Sequence, residues 1–111
     1  MRVRSAERRQ FPRVPAHQAV LVEPLGEPGV LDFGPAEDLS PGGCQVLLDE
    51  HLLLESPVRV SMAVEGLVIR AEGHVVHAEP HADGRWDTAI AFDRVSPTHR
   101  ALLRNLLVPA S

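Results

Sequence analysis

Apolar and polar residues alternate with a period of two along most of this chain, in short runs punctuated by proline and glycine, which predicts β-strands. A first strand is expected over 17–23 (HQAVLVE), ended by a type II turn at Glu27-Pro28-Gly29. The next run, 30–39, is interrupted by Gly34-Pro35. Proline cannot donate to a sheet ladder, so this predicts an edge position or a bulge. A third strand, 44–48 (CQVLL), follows Gly42-Gly43. Residues 57–64 place Val58, Val60, Met62 and Val64 on one face, with Arg59 and Ser61 opposite. Across a short Glu65-Gly66 turn, residues 67–77 set Leu67, Ile69, Ala71 and Val75 against Arg70, Glu72 and His74. The stretch 79–84 ends on Asp83-Gly84, a hairpin signal, and the return strand puts Trp86, Thr88, Ile90 and Phe92 on a common face as core residues.

At the C-terminus the period changes. Ser96-Pro97 reads as a helix N-cap followed by proline at the first helical position. Leu102, Leu103, Leu106 and Leu107 then form one stripe, and Pro109 stops it. Six short strands at this spacing suggest a barrel or a sandwich. The predicted fold class is therefore all-β with one helix, a closed sheet against which the C-terminal helix packs.

A length of 111 residues with 44% hydrophobic content makes one domain with a real core. No apolar run approaches the ~20 residues that span a bilayer, and the opening MRVRSAERRQ lacks the apolar stretch of a secretory signal. Cys44 is single, so no intrachain disulfide is available; this agrees with a reducing compartment and an expected cytoplasmic location. Cys44 itself is expected to be a small core residue, because no base is placed beside it.

Charge changes the picture. The formal net charge is -4, yet residues 1–13 carry a net +4 and the remainder a net −8. Lysine is absent; all eleven cationic residues are arginines, whose planar fork suits phosphates and flat rings. The segment AERRQFPRVP concentrates Arg8, Arg9 and Arg13, and Pro12 and Pro15 favour an extended backbone there. In isolation that is a solvated arm, or else an anion clamp. The loop EDLSPGGCQV, 37–46, is in isolation ordinary turn chemistry. It nonetheless presents a carboxylate that can accept from the edge of a guanine (Asp38), a hydroxyl (Ser40), and a pair of glycines that let backbone approach a ligand (Gly42, Gly43).

Together, Arg9-x-x-x-Arg13 and Asp38-x-Ser40-x-x-Gly43, about 25 residues apart, resemble the paired RxxxR and (D/N)xSxxG motifs of the PilZ domain family. The resemblance spans nearly the whole chain, with a domain expected over 7–108 and residues 1–6 as a flexible N-terminal arm. It implies a six-stranded antiparallel PilZ-type β-barrel plus a C-terminal α-helix, and binding of the bacterial second messenger cyclic di-GMP. Carried over, Arg9 and Arg13 would grip phosphates and stack on guanine, Asp38 would read a guanine edge, Ser40 would hydrogen-bond the ligand, and Gly43 would keep the surface open. Arg8 precedes the motif, where an arginine accompanies two mutually intercalated ligand molecules, so one or two ligands per site are implied. A departure is Ala89, where the family often has glycine.

The implied protein is a receptor without catalytic activity or cofactor. It would act on an unidentified downstream protein when ligand orders the arginine arm. A second reading is a PilZ-like adaptor that works through protein contacts and binds no nucleotide. Binding of nucleic acid polymers is disfavoured by the acidic remainder of the chain. His74, His77 and His81 are close in sequence, but strict alternation puts 74 and 77 on opposite faces and 81 in the turn, so they read as surface histidines rather than metal ligands. The fifteen acidic residues form no recognisable acid/base pair in the sequence.

Overall fold

A computed structural model describes residues 19–27, 31–64 and 66–107, apart from the side chains of Val64, Leu106 and Leu107. Six strands follow in order: β1 (Ala19–Pro24), β2 (Asp32–Ser40), β3 (Gly43–Leu48), β4 (Pro57–Val64), β5 (Leu67–Pro80) and β6 (Trp86–Val95). One helix, α1 (Pro97–Leu107), comes after them. The strands close into a barrel in the order β1-β2-β3-β6-β5-β4, every pair antiparallel. The predicted Pro28-Gly29 turn and the Pro109 stop lie outside the described residues.

The alternation in the sequence becomes an inside and an outside. Val20 and Val22 from β1, Val46 and Leu48 from β3, and Val58 and Val60 from β4 have no exposed surface; nor have Ile69 and Val75 from β5. Leu103 of α1 is equally buried and joins the same cluster, so the helix closes the barrel over its core. Thr88, the one buried polar residue among those described, donates its hydroxyl to the Trp86 carbonyl at 3.3 Å. The helix begins as its sequence requires: the His99 N–H donates to Ser96 Oγ at 3.1 Å and the Arg100 N–H to the Ser96 carbonyl at 2.8 Å.

Several inward expectations move to the rim. Leu67 is 41% exposed, because it pairs with Val64 at the mouth of the β4–β5 hairpin, past the last closed layer. Trp86 is half-buried at the other rim and stacks on His51, ring centroids 3.9 Å apart and 10° from parallel. Phe92 packs partly buried against the core. The hairpin between β5 and β6 turns where Asp83-Gly84 is expected, with Gly84 at a φ of 93°.

Closure leaves β2 no edge, so Pro35 does not sit on one; it faces outward, paired with Ala19. The irregularity falls slightly later, as a register shift between Ala36 and Asp38. Two more shifts interrupt the β5–β6 ladder, at Glu72/Gly73 and at Val75/His77. At each, two consecutive side chains face out: Glu37 with Asp38, Asp93 with Arg94, Val76 with His77. His74 and His77 are therefore on the same, outer face, against strict alternation.

Leu103 is the sole described helix side chain in the fully buried core. Leu103→Ala is expected to cost about 2–5 kcal/mol of stability, transfer plus cavity, read from urea unfolding midpoints.

Candidate functional site

The bulge in β2 sets the site. Without it, Asp38 would point into the barrel; with it, Glu37 and Asp38 both face out and Leu39 returns to the core. Asp38, Ser40, Gly42 and Gly43 then border one hollow of about 270 Å³, whose remaining walls include Gln45 of β3, Val76 of β5, and Ala89 and Ala91 of β6. Four of the residues expected from sequence thus lie together. Arg8, Arg9 and Arg13 lie outside the described residues.

Hydrogen bonds fix the turn against its neighbours. The Phe92 N–H donates to the Gly42 carbonyl at 2.9 Å, tying the turn to β6, and Ser40 Oγ donates to the Gly43 carbonyl at 3.4 Å. The two glycines differ. A Cβ at Gly43 would run into the Ile90 carbonyl, so β3 and β6 can approach only with glycine there. At Gly42 a Cβ would meet nothing, and the turn stays open toward solvent. Gly43 is thus required by the barrel itself, whatever binds above it. Ala89 lies in the wall of the same hollow as Asp38, so the departure from glycine falls inside the site.

Chemically, the described lining of the hollow presents acceptors and apolar surface. It holds one carboxylate, Asp38, and no basic residue. Val76, 45% exposed, offers an apolar ledge of the kind a flat ring covers. Cys44 lies beneath; burial, with a smaller push from the Asp38 charge, raises its thiol to about 12, so it stays protonated and is no nucleophile.

A second cluster, invisible as a pair in the sequence, forms on the other side of the bulge. Glu37 reaches Asp87 of β6, and burial together with this hydrogen bond and the Asp87 charge raises its carboxyl to about 7. His81 Nδ1 lies 3.1 Å from Asp87 Oδ2, which raises the imidazole pKa. Ligating atoms of Glu37, His81 and Asp87 fall within 4.8 Å of one another, close enough to share a proton or hold a cation. Asp87 Oδ1 is buried without a hydrogen-bond partner among the described residues. The remaining histidines of the group each have a carboxylate: His74 Nδ1 lies 2.7 Å from Asp93, which raises its pKa, and His77 Nε2 lies 3.2 Å from Glu79. Sequence spacing could not reveal the Glu37–Asp87 pair, since fifty residues separate its members.

The fold is shared with known proteins. The PilZ domain profile matches residues 7–108. No curated protein matches the chain. Among solved structures, the Bacillus subtilis inhibitor of motility, MotI/DgrA, superposes with a TM-score of 0.75 at 17% identity, covering 90% of this chain and 49% of that one. The chain thus spans about half the length of that protein. The PilZ domain of YcgR from Escherichia coli, solved with c-di-GMP, gives 0.70 at 16% identity, covering 90% and 88%. The PilZ domain of CeSA from a cellulose-synthesizing bacterium gives 0.64 at 22%, covering 86% and 93%. At these identities the likeness is one of fold.

Two outcomes follow from the site's packing and charge. Gly43→Ala should lose about 1–3 kcal/mol by overpacking against the β6 backbone, whereas Gly42→Ala should stay within about 0.5 kcal/mol of the parent, both by urea unfolding. The raised carboxyl at Glu37 means the folded state holds a proton that the unfolded chain releases earlier. Stability from this group is present below pH ~4.5 and is lost as pH rises through about 7. Melting temperature should accordingly fall between pH 5 and pH 8, and Glu37→Gln should flatten that slope; an unchanged slope in the variant would contradict the shared proton.

Proposed function

The chain belongs to the PilZ domain family, and from that premise we propose that it is a receptor for cyclic di-GMP and carries no catalysis of its own. The hollow supports this by what it has and what it lacks. Asp38 can accept from the N1–H and N2–H edge of a guanine, Ser40 adds a hydroxyl, and Val76 with the exposed Gly42 leaves room for a flat base. Two phosphates nevertheless need cations, and the described lining supplies none.

The arginine leader is the cation source in this reading. Ala19 opposes Pro35 in an antiparallel ladder, so the start of β1 lies beside the part of β2 that leads to Asp38. Arg13 precedes Ala19 by six residues, a span of at most about 20 Å, while Asp38 lies three residues from Pro35. Arg9 and Arg13 would meet the phosphates and stack on guanine; Arg8 would serve a second, intercalated ligand. Charge-assisted hydrogen bonds contribute roughly 1.5–3 kcal/mol each and guanidinium stacking roughly 0.5–2. A micromolar complex needs about 8 kcal/mol, so two or three arginines with one guanine-edge contact suffice. The YcgR PilZ domain, solved with c-di-GMP on the same fold, supports the assignment. In this reading the ligand draws the leader onto the barrel, and the resulting surface meets a downstream protein.

The adaptor reading has one observation in its favour. Leu21 and Phe33 oppose each other on the outer face of β1–β2, 39% and 61% exposed, with Leu31 nearby at 58%. Such a patch suits a protein contact. It is compatible with a receptor that signals through that face. Among the described residues no helix is long and apolar enough to cross a membrane.

Arg13→Ala should weaken cyclic di-GMP by about 2 kcal/mol or more, roughly thirtyfold, in calorimetric titration with GTP as competitor. Equal affinity in the variant and the parent would overturn the receptor reading.

A further inference from the structure

We propose that the groove between the outer face of β4–β5–β6 and the start of α1 is a second binding site, for a small organic anion with an apolar body. The groove encloses about 510 Å³, larger than the hollow at Asp38 and within the range of small-molecule sites. Its floor is apolar, made by exposed Pro97 and the outer edges of the core residues Ala71 and Val95. Its walls carry three arginines, Arg59, Arg70 and Arg94, against one carboxylate, Glu72, with His99 at the helix.

The charge there is not self-compensated. Register places Glu23, Arg59, Glu72 and Arg94 in one row across β1, β4, β5 and β6. Both glutamates pair with the same arginine: Arg59 Nη1 lies 3.2 Å from Glu23 and Nη2 lies 3.6 Å from Glu72. Among the described residues, no carboxylate lies within ion-pair distance of Arg94 or of Arg70. Arg94 points out because of the β-bulge at Glu72/Gly73, which also turns Asp93 outward, and Asp93 is engaged by His74. One acid that could have neutralised the groove is thereby held elsewhere.

His99 Nδ1 lies 3.2 Å from the Arg70 N–H and 3.4 Å from the Arg70 carbonyl, so the ring is held against β5 beside the groove. The first turn of α1 has no acidic residue, and its positive end is not offset from within the helix. Two guanidinium forks with no carboxylate partner among the described residues, over an apolar floor, select a carboxylate or phosphate joined to an aromatic or acyl body. A bare inorganic anion would leave the floor uncovered, and a neutral apolar molecule would leave the forks unused.

The test uses the full chain and 2-naphthyl phosphate as probe, with 2-naphthol and inorganic phosphate as its two halves, followed by calorimetry and by amide shifts. One saturable site is expected, with shifts at Arg70, Arg94 and His99, and each half should bind at least about tenfold more weakly than the whole. Arg70→Gln with Arg94→Gln should weaken the probe by about tenfold or more, and Asp38→Ala should leave it unchanged. If the double variant melts early, Arg94→Gln alone, on the exposed row, makes the comparison. Absence of binding at about 1 mM probe, equal affinity for 2-naphthol, undiminished binding in the arginine variants, or loss of binding in Asp38→Ala would each overturn the proposal.

Discussion

Closing six strands into a barrel forces every side chain to choose between a filled interior and the outer surface, and the rest of this molecule follows from where that choice is interrupted. In a closed sheet no edge remains to absorb irregularity. Extra residues must be taken up as bulges, and at each of the three register shifts two neighbouring side chains are turned out together. The consequence is chemical as well as geometric. Glu37 goes to a cluster with His81 and Asp87 while Asp38 goes to the hollow. Asp93 is drawn to His74 while Arg94 faces the groove. Val76 forms a ledge in the hollow while His77 pairs with Glu79.

β6 links these features. Its outward alanines, Ala89 and Ala91, wall the hollow, its buried Ile90 carbonyl dictates glycine at position 43, and its last residues, Arg94 and Val95, form the groove before Ser96 starts the helix. The turn at 40–43 is fastened to this strand by the Phe92–Gly42 hydrogen bond. Leu103 then anchors the helix into the core. Rigidity at the hollow therefore derives from the same packing that stabilises the barrel.

The electrostatics divide along the same lines. Arg59 takes two glutamates, Arg85 takes Asp83 in a two-pronged contact at 2.7 and 2.9 Å, and three histidines each take a carboxylate. These exposed pairs add little stability individually. Within the described lining, the hollow holds a carboxylate and no basic residue, whereas at the groove Arg59 is the arginine that takes the carboxylates. In the receptor reading, the +4 leader supplies what the described lining of the hollow lacks.

The linear sequence by itself determined the strands, the Asp83-Gly84 hairpin, the Ser96 cap, and the paired motifs that identify the family. All of these are local or depend on period and spacing, which a chain carries without folding. Tertiary structure alone decided that Pro35 has no edge to sit on, that His74 and His77 share a face, that Gly43 is held by the Ile90 carbonyl, and that Glu37 meets Asp87. Each of those depends on register, and a one-residue slip at a bulge reverses which side chains face out. Alternation predicts faces only while the ladder is regular; bulges and strand partners distant in sequence are set by closure of the whole barrel.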